Sequence, residues 1–129
     1  MFSHHRFTCP CCGYLVFDEP PGSYGICQFC FWEDDALQLE FATTLAGGAN
    51  QPTLHDAQRS YKSIGACEPR LLPHVRRPGL FDRKDPTWRP IDPSLDSFAD
   101  WGSSNQDRPP TIDERLYYWR PTFWRRPSK

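Results

Sequence analysis

The sequence predicts an α+β fold on three observations. Two C-x-x-C pairs, Cys9-Pro-Cys-Cys12 and Cys27-Gln-Phe-Cys30, lie near the N-terminus with residues 13–26 between them. Short aromatic and β-branched runs flank each pair, as strands do. Farther on, residues 53–65 carry the apolar period and the end signals of an amphipathic helix.

The elements follow in order. Tyr14-Leu-Val-Phe17 reads as a strand, and Asp18-Glu-Pro-Pro-Gly22 as the turn after it. Ser23-Tyr-Gly-Ile26 leads into the second cysteine pair and is expected to pair with the first strand. That order of knuckle, strand, turn, strand and knuckle describes a zinc-ribbon-like domain. Leu37, Leu39 and Phe41 alternate with Gln38 and Glu40, which suggests a strand, although so short a run also permits a helix. Residues 47–52 read as a loop. Thr53-x-x-Asp56 has the spacing of a capping box. Leu54, Ala57, Tyr61 and Ile64 then share one helical face, and Gly65 suits the left-handed position that ends a helix.

After Glu68 the character changes, for ten of the 14 prolines lie beyond it. Arg70 to Pro90 reads as extended surface chain. Asp92-Pro93 suggests a short helix with Leu95, Phe98 and Ala99 on one side, closed by Gly102. Thr111-x-x-Glu114 suggests a last helix through Leu116 and Trp119, stopped by Pro121. The expected organisation is a domain over 1–68, with its helix at 53–65. An irregular, proline-rich extension over 69–129, with short helices, packs back on it.

Composition supports a small core rich in rings. Of the 129 residues 38% are hydrophobic and 15% aromatic, so aromatic side chains must fill much of the interior. The net charge of −1 conceals an asymmetry. Residues 1–68 carry three Lys or Arg against eight Asp or Glu, and residues 69–129 carry twelve against eight. The opening Met1-Phe-Ser-His-His-Arg6 has no apolar run of signal-peptide length, and no stretch approaches the roughly 18 apolar residues of a spanning helix. A cytoplasmic setting is therefore expected, where thiols stay reduced and metal binding is favoured over disulfides.

The chemistry centres on the cysteines. Two C-x-x-C pairs at this separation point to four thiolates around one Zn2+ ion, with Cys9, Cys12, Cys27 and Cys30 as ligands. Pairing Cys9 with Cys11 would make a tighter bite that structural sites use less, so Cys11 is expected to point away. Four protein ligands close the site to water and substrate, which favours a structural metal and a non-enzymatic protein. Cys11 and Cys67 are left over, and no spacing ties them to His4, His5 or His55 as a thiol–imidazole pair. Trp32, beside the second pair, is expected to cover the metal. Glu33, Asp34 and Asp35 are candidates for contacting a basic partner. In the C-terminal run from Tyr117 to Arg126, guanidinium groups interleave with rings, and Trp119, Trp124 and Arg125 are candidate partner-binding residues. Such a run suits a protein hot spot or nucleic acid, and equally a set of rings packed on the zinc domain.

Several separated motifs together resemble the bacterial CPCC family of small cysteine-rich proteins. They are Cys9-Pro-Cys-Cys-Gly-Tyr14, Pro21-Gly-Ser-Tyr24, Cys27-x-x-Cys-Phe-Trp-Glu-Asp-Asp35, Gly47-Gly-Ala-Asn50, Leu54-x-x-Ala-Gln58 and Gly65-Ala-Cys-Glu68. The resemblance covers about the first half of the chain. It implies a zinc-ribbon-like domain followed by a helix, with Cys67 part of the family pattern, and it does not fix an activity. In size it also looks similar to small immunity proteins that neutralise a toxin. The first expectation is a zinc-stabilised protein-interaction module, with toxin neutralisation its most concrete form. The alternative is a nucleic-acid-binding ribbon that uses the Arg-rich C-terminus.

Overall fold

The computed structural model describes residues 6–103 and 113–125. Its architecture is α+β: a two-stranded sheet, two α-helices and three short 3-10 segments around one cluster of cysteines and rings. Strand β1 (Phe7–Thr8) pairs antiparallel with β2 (Leu15–Phe17), in a register that sets Phe7 opposite Phe17 and Thr8 opposite Leu15, with an irregularity between Phe7 and Thr8. The expected pairing of residues 23–26 with the first strand does not form. Instead Tyr24 N–H donates to Asp34 O, Asp34 N–H donates to Gly25 O, and Ile26 bridges Glu33. Each cysteine pair thus closes a hairpin of its own, because the chain returns beside itself directly after each turn.

Helix α1 (Ala36–Glu40) replaces the strand suggested at 37–41. The side chain of Asp35 caps it, accepting from Leu37 N (2.9 Å) and Gln38 N (3.3 Å). Alternation would have put Gln38 and Glu40 in water, but both are buried. Gln38 Nε2 reaches the carbonyls of Leu45, Asn50 and Pro52, and its Oε1 accepts from Asn50 N (2.9 Å). Asn50 in turn exchanges hydrogen bonds with the Glu33 backbone at 2.8 Å in each direction. A buried amide is tolerated where its donors and acceptors are met in this way.

Helix α2 (Leu54–Ile64) forms as the sequence predicts. Thr53 caps it through Asp56 N, and Gly65 ends it in the left-handed region at φ 88°. Leu54, Ala57 and Gln58 face inward. Gln58 ties three segments together: its Nε2 donates to Pro10 O (2.8 Å) and Tyr118 Oη (3.0 Å), and its Oε1 accepts from Ile91 N (2.8 Å).

The proline-rich half packs on the cysteine-rich one. A 3-10 segment spans Pro69–His74 inside the stretch read as extended. At 92–96 the chain makes a single turn capped by the Asp92 carboxylate, and only a 3-10 turn (Trp101–Ser103) follows, so the short helix expected there is absent. Thr111 lies outside the described residues. The helix expected through Trp119 is, from residue 113 onward, one 3-10 turn (Glu114–Leu116) capped by Asp113, and Tyr117 is already extended. That extension delivers consecutive rings to the interior. Leu116, Tyr117, Tyr118, Trp119 and Phe123 are all buried, each aromatic contributing roughly 1.5–3 kcal/mol by burial. Tyr117 Oη donates to Thr8 O (2.9 Å) and Tyr118 Oη to Arg89 O. Among the described residues no helix is long and apolar enough to cross a membrane.

Candidate metal centre

The two C-x-x-C turns are built alike. In the first, Cys9 N–H donates to Tyr14 O (2.9 Å) and Gly13 N–H to Cys9 O (2.8 Å). In the second, Cys27 N–H donates to Trp32 O (2.9 Å) and Phe31 N–H to Cys27 O (2.8 Å). The residue four places after the first cysteine is left-handed in both, Gly13 at φ 86° and Phe31 at φ 69°. Glycine adopts this conformation without penalty; a side chain there costs about 1 kcal/mol.

Gly13 has a second constraint. A Cβ at that position would stand 2.6 Å from both Cδ2 and Cε3 of Trp88, whose Nε1–H is fixed on Pro10 O at 3.0 Å. Gly13→Ala therefore combines backbone strain with a clash against an anchored ring. We expect it to lower stability by roughly 2–4 kcal/mol in urea denaturation, outside the range of ordinary surface changes.

The turns bring four sulfurs together. The Sγ atoms of Cys9, Cys12, Cys27 and Cys30 all lie within 4.8 Å of one another, and all four residues are buried. Cys9 and Cys30 sulfurs are 3.5 Å apart, and those of Cys12 and Cys27 are 3.7 Å apart. A disulfide requires about 2.05 Å, so these are not bonded pairs. A tetrahedral ion with metal–sulfur bonds of about 2.3 Å has sulfur–sulfur edges near 3.8 Å, which the measured separations approach. Phe29 N–H points at Cys27 Sγ (3.4 Å), placing a backbone dipole where a thiolate gains from it.

Electrostatics agree with a cation at the centre. Burial pushes the Cys9 and Cys30 thiols well above the usual range, while hydrogen bonds from Cys12, Cys30 and Cys9 pull Cys27 down. Four thiolates this close would repel one another, and a divalent ion between them would offset that repulsion. Among the described residues this is the one group of three or more side chains placed to share a metal.

The other two cysteines are not among the four converging sulfurs, although the Cys11 thiol reaches Cys30 in a side-chain hydrogen bond. Cys11 is buried, and burial raises its pKa. Cys67 is buried too, with its thiol pushed up to about 12 chiefly by burial, and its N–H donates to Cys30 O (2.7 Å). Its backbone thus braces a ligand-bearing turn. Trp32 is fully buried in the same cluster as the cysteines. His4 and His5 lie outside the described residues.

The candidate partner residues have different fates. Asp34 is 2% exposed and accepts from Ser23 N (3.1 Å) and Oγ (2.6 Å). Asp35 is 6% exposed, caps α1 and accepts from Ala49 N (3.0 Å). Both carboxylates are thus occupied within the fold, and Glu33 is half-buried. Trp119 is 8% exposed and stacked on Tyr117, with ring centroids 4.5 Å apart. Trp124 is half-buried, and Arg125 is exposed and lies over the Trp124 ring at 5.5 Å. Of the six, Arg125 is the one fully at the surface.

Sequence reasoning missed Asp85, which has no motif around it. It accepts from Thr8 Oγ1 and Thr87 Oγ1 (both 2.7 Å), Thr87 N (2.9 Å), Trp119 Nε1 (3.3 Å) and Arg120 Nη2 (3.4 Å). Its N–H donates to Gly13 O (2.8 Å). One carboxylate thereby joins the first knuckle to the C-terminal segment.

No curated protein matches the sequence. The family model described as cysteine-rich CPCC matches residues 7–80, which contain the four clustered cysteines and both knuckle turns. By that match and by the geometry its motifs adopt, the chain belongs to the cysteine-rich CPCC family.

Proposed function

We propose that the protein is a zinc-stabilised, non-enzymatic module of the bacterial cytoplasm that works by binding another protein. The observation that carries the zinc assignment is the buried group of four thiols. Sulfur donors in tetrahedral array favour zinc over magnesium or calcium, which take oxygen ligands. With every position filled by protein, the ion has no site for a reacting water, which supports a structural role. The burial of Tyr117, Tyr118, Trp119 and Phe123 removes the rings on which a nucleic acid would stack, and so favours a protein partner. Neutralisation of a toxin is one form such binding can take.

Elemental analysis of the purified chain tests the first part. The expected result is one zinc per chain, released together with the native fold when a strong chelator is added. One equivalent of iron, with its visible absorption, would overturn the zinc assignment. For the binding role, cross-linking in the native host should join the zinc-loaded chain to a protein in fixed stoichiometry. Enrichment of nucleic acid in place of protein would refute it.

A further inference from the structure

A groove of about 790 Å³ runs between the C-terminal end of α2 and the extended segment after His74. We propose that it is a docking site for an extended acidic segment of a partner protein that carries alternating apolar side chains. This rests on reading the chain as a protein-binding module and specifies the partner's chemistry.

Charge is the first argument. Lys62, Arg76 and Arg77 line the groove, and no Asp or Glu does. Arg76 is fixed: its Nε donates to Gln28 Oε1 (3.0 Å), its guanidinium lies 4.6 Å over the Phe29 ring, and Asp82 pairs with it at 3.2 Å. Asp82 offsets that one cation. Lys62 and Arg77 are exposed and form no ion pair among the described residues, so the groove keeps a positive rim. Such a rim favours an anionic segment and disfavours a basic one.

Apolar surface is the second argument. Among the lining residues Ile64 and Leu72 are 39% and 45% exposed, beside the rings of Tyr14, Phe29 and Tyr61. Large apolar side chains this open beside a concave, cation-rimmed surface are the usual marks of an anchor site.

The geometry selects among anionic partners. Arg76 covers the Phe29 face, and Lys84 lies over Tyr14 at 5.8 Å, while those two rings meet edge to face at 5.1 Å. These faces are not open to stacked bases, which disfavours nucleic acid. A concave groove also cannot meet a flat bilayer along its length. An extended segment with alternating side chains can set an acid against Lys62 and Arg77 and an apolar group against Ile64 and Leu72.

The test uses fluorescence anisotropy with the full, zinc-loaded chain. The probes are short peptides in which Asp or Glu alternates with Leu or Phe, the same peptides with Lys in place of the acids, and the same with Ser in place of the apolar residues. The acidic–apolar set should bind and weaken as salt rises, and the other two should not. Lys62→Glu with Arg77→Glu should weaken binding about tenfold, the effect of two rim charges lost. Both side chains are exposed, so that variant should keep its metal and its near-ultraviolet spectrum. Leu72→Ser should weaken binding without altering the salt dependence. Equal binding of the Lys peptides, or an unchanged affinity in the double variant, would overturn the proposal. So would preferential binding to phosphatidylserine vesicles, or self-association in sedimentation that the double variant abolishes. A loaded, folded chain that binds none of the peptides sinks the groove alone, because metal analysis and cross-linking read the zinc and the protein-binding role separately.

Discussion

Replacing any one of Cys9, Cys12, Cys27 or Cys30 by serine is expected to abolish metal retention and unfold the chain. The four sulfurs sit in the centre of the cluster that also contains Trp32, Leu39, Tyr117 and Tyr118, so the centre and the core are one object. Metal binding at structural zinc sites releases roughly 10–16 kcal/mol, comparable to the 5–15 kcal/mol by which a small domain is stable at all. Near-ultraviolet circular dichroism should lose its tryptophan signal, and the bound metal should fall from one equivalent to none. Cys11→Ala is the control. Cys11 is buried but is not among the four converging sulfurs, so that variant should keep its metal and lose only about 1 kcal/mol of packing. Loss of metal from Cys11→Ala with retention in Cys12→Ser would reverse the ligand set.

The second large effect belongs to Asp85. Asp85→Ala leaves Thr8 Oγ1 and Trp119 Nε1 in the interior without their acceptor and removes a partner of Arg120. Arg120 keeps Glu114 as a partner, but each buried donor left unsatisfied costs about 1–3 kcal/mol, together a large part of the stability of so small a fold. Urea unfolding with metal in excess measures it. The effect also has a pH signature. Burial alone would raise the Asp85 pKa, but hydrogen bonds from Thr87, Thr8 and Arg120 outweigh it and hold the group at about 2, below its ordinary 3.8. A pKa lowered on folding stabilises the folded state above the unfolded value and ceases to do so as pH falls through the folded one. The shift corresponds to about 2 kcal/mol. Protonated thiols release a metal before that pH range is reached, so the comparison is made near pH 7, where Asp85→Asn, which keeps an acceptor oxygen but loses the charge, should be destabilised by about that 2 kcal/mol. An Asp85→Asn variant as stable as the wild type would show that Asp85 acts through packing and not through its charge.

The features legible in the sequence are those set by neighbours along the chain. Helix α2 could be read because Thr53 and Gly65 mark its ends and four apolar residues mark its face. The metal centre could be read because C-x-x-C fixes two ligands within one turn. At helix α1 the alternation of five residues suggests a strand and leaves a helix open, because the deciding groups, Asn50 and the carbonyls of Leu45 and Pro52, come from farther along. Asp34 and Asp35 read from the sequence as candidates for contacting a basic partner. Their partners, Ser23 and Ala49, approach only once the chain has folded. Asp85 was invisible for the same reason, since Thr8 and Arg120 lie far from it in either direction.

The hydrogen bond from Tyr117 to Thr8 spans 109 positions, whereas Cys9 and Cys30 are separated by 21. Closing the longer loop costs about 1.5 kcal/mol more in chain entropy. A ribosome delivers the chain N-terminus first, so both knuckles are free to capture their ion long before residue 117 has been made. An ion bound there would hold the first knuckle in the form that Tyr117 and Trp88 cover. Synthesis and assembly thus run in the same direction, and the last rings arrive at a surface that the earliest cysteines have already shaped.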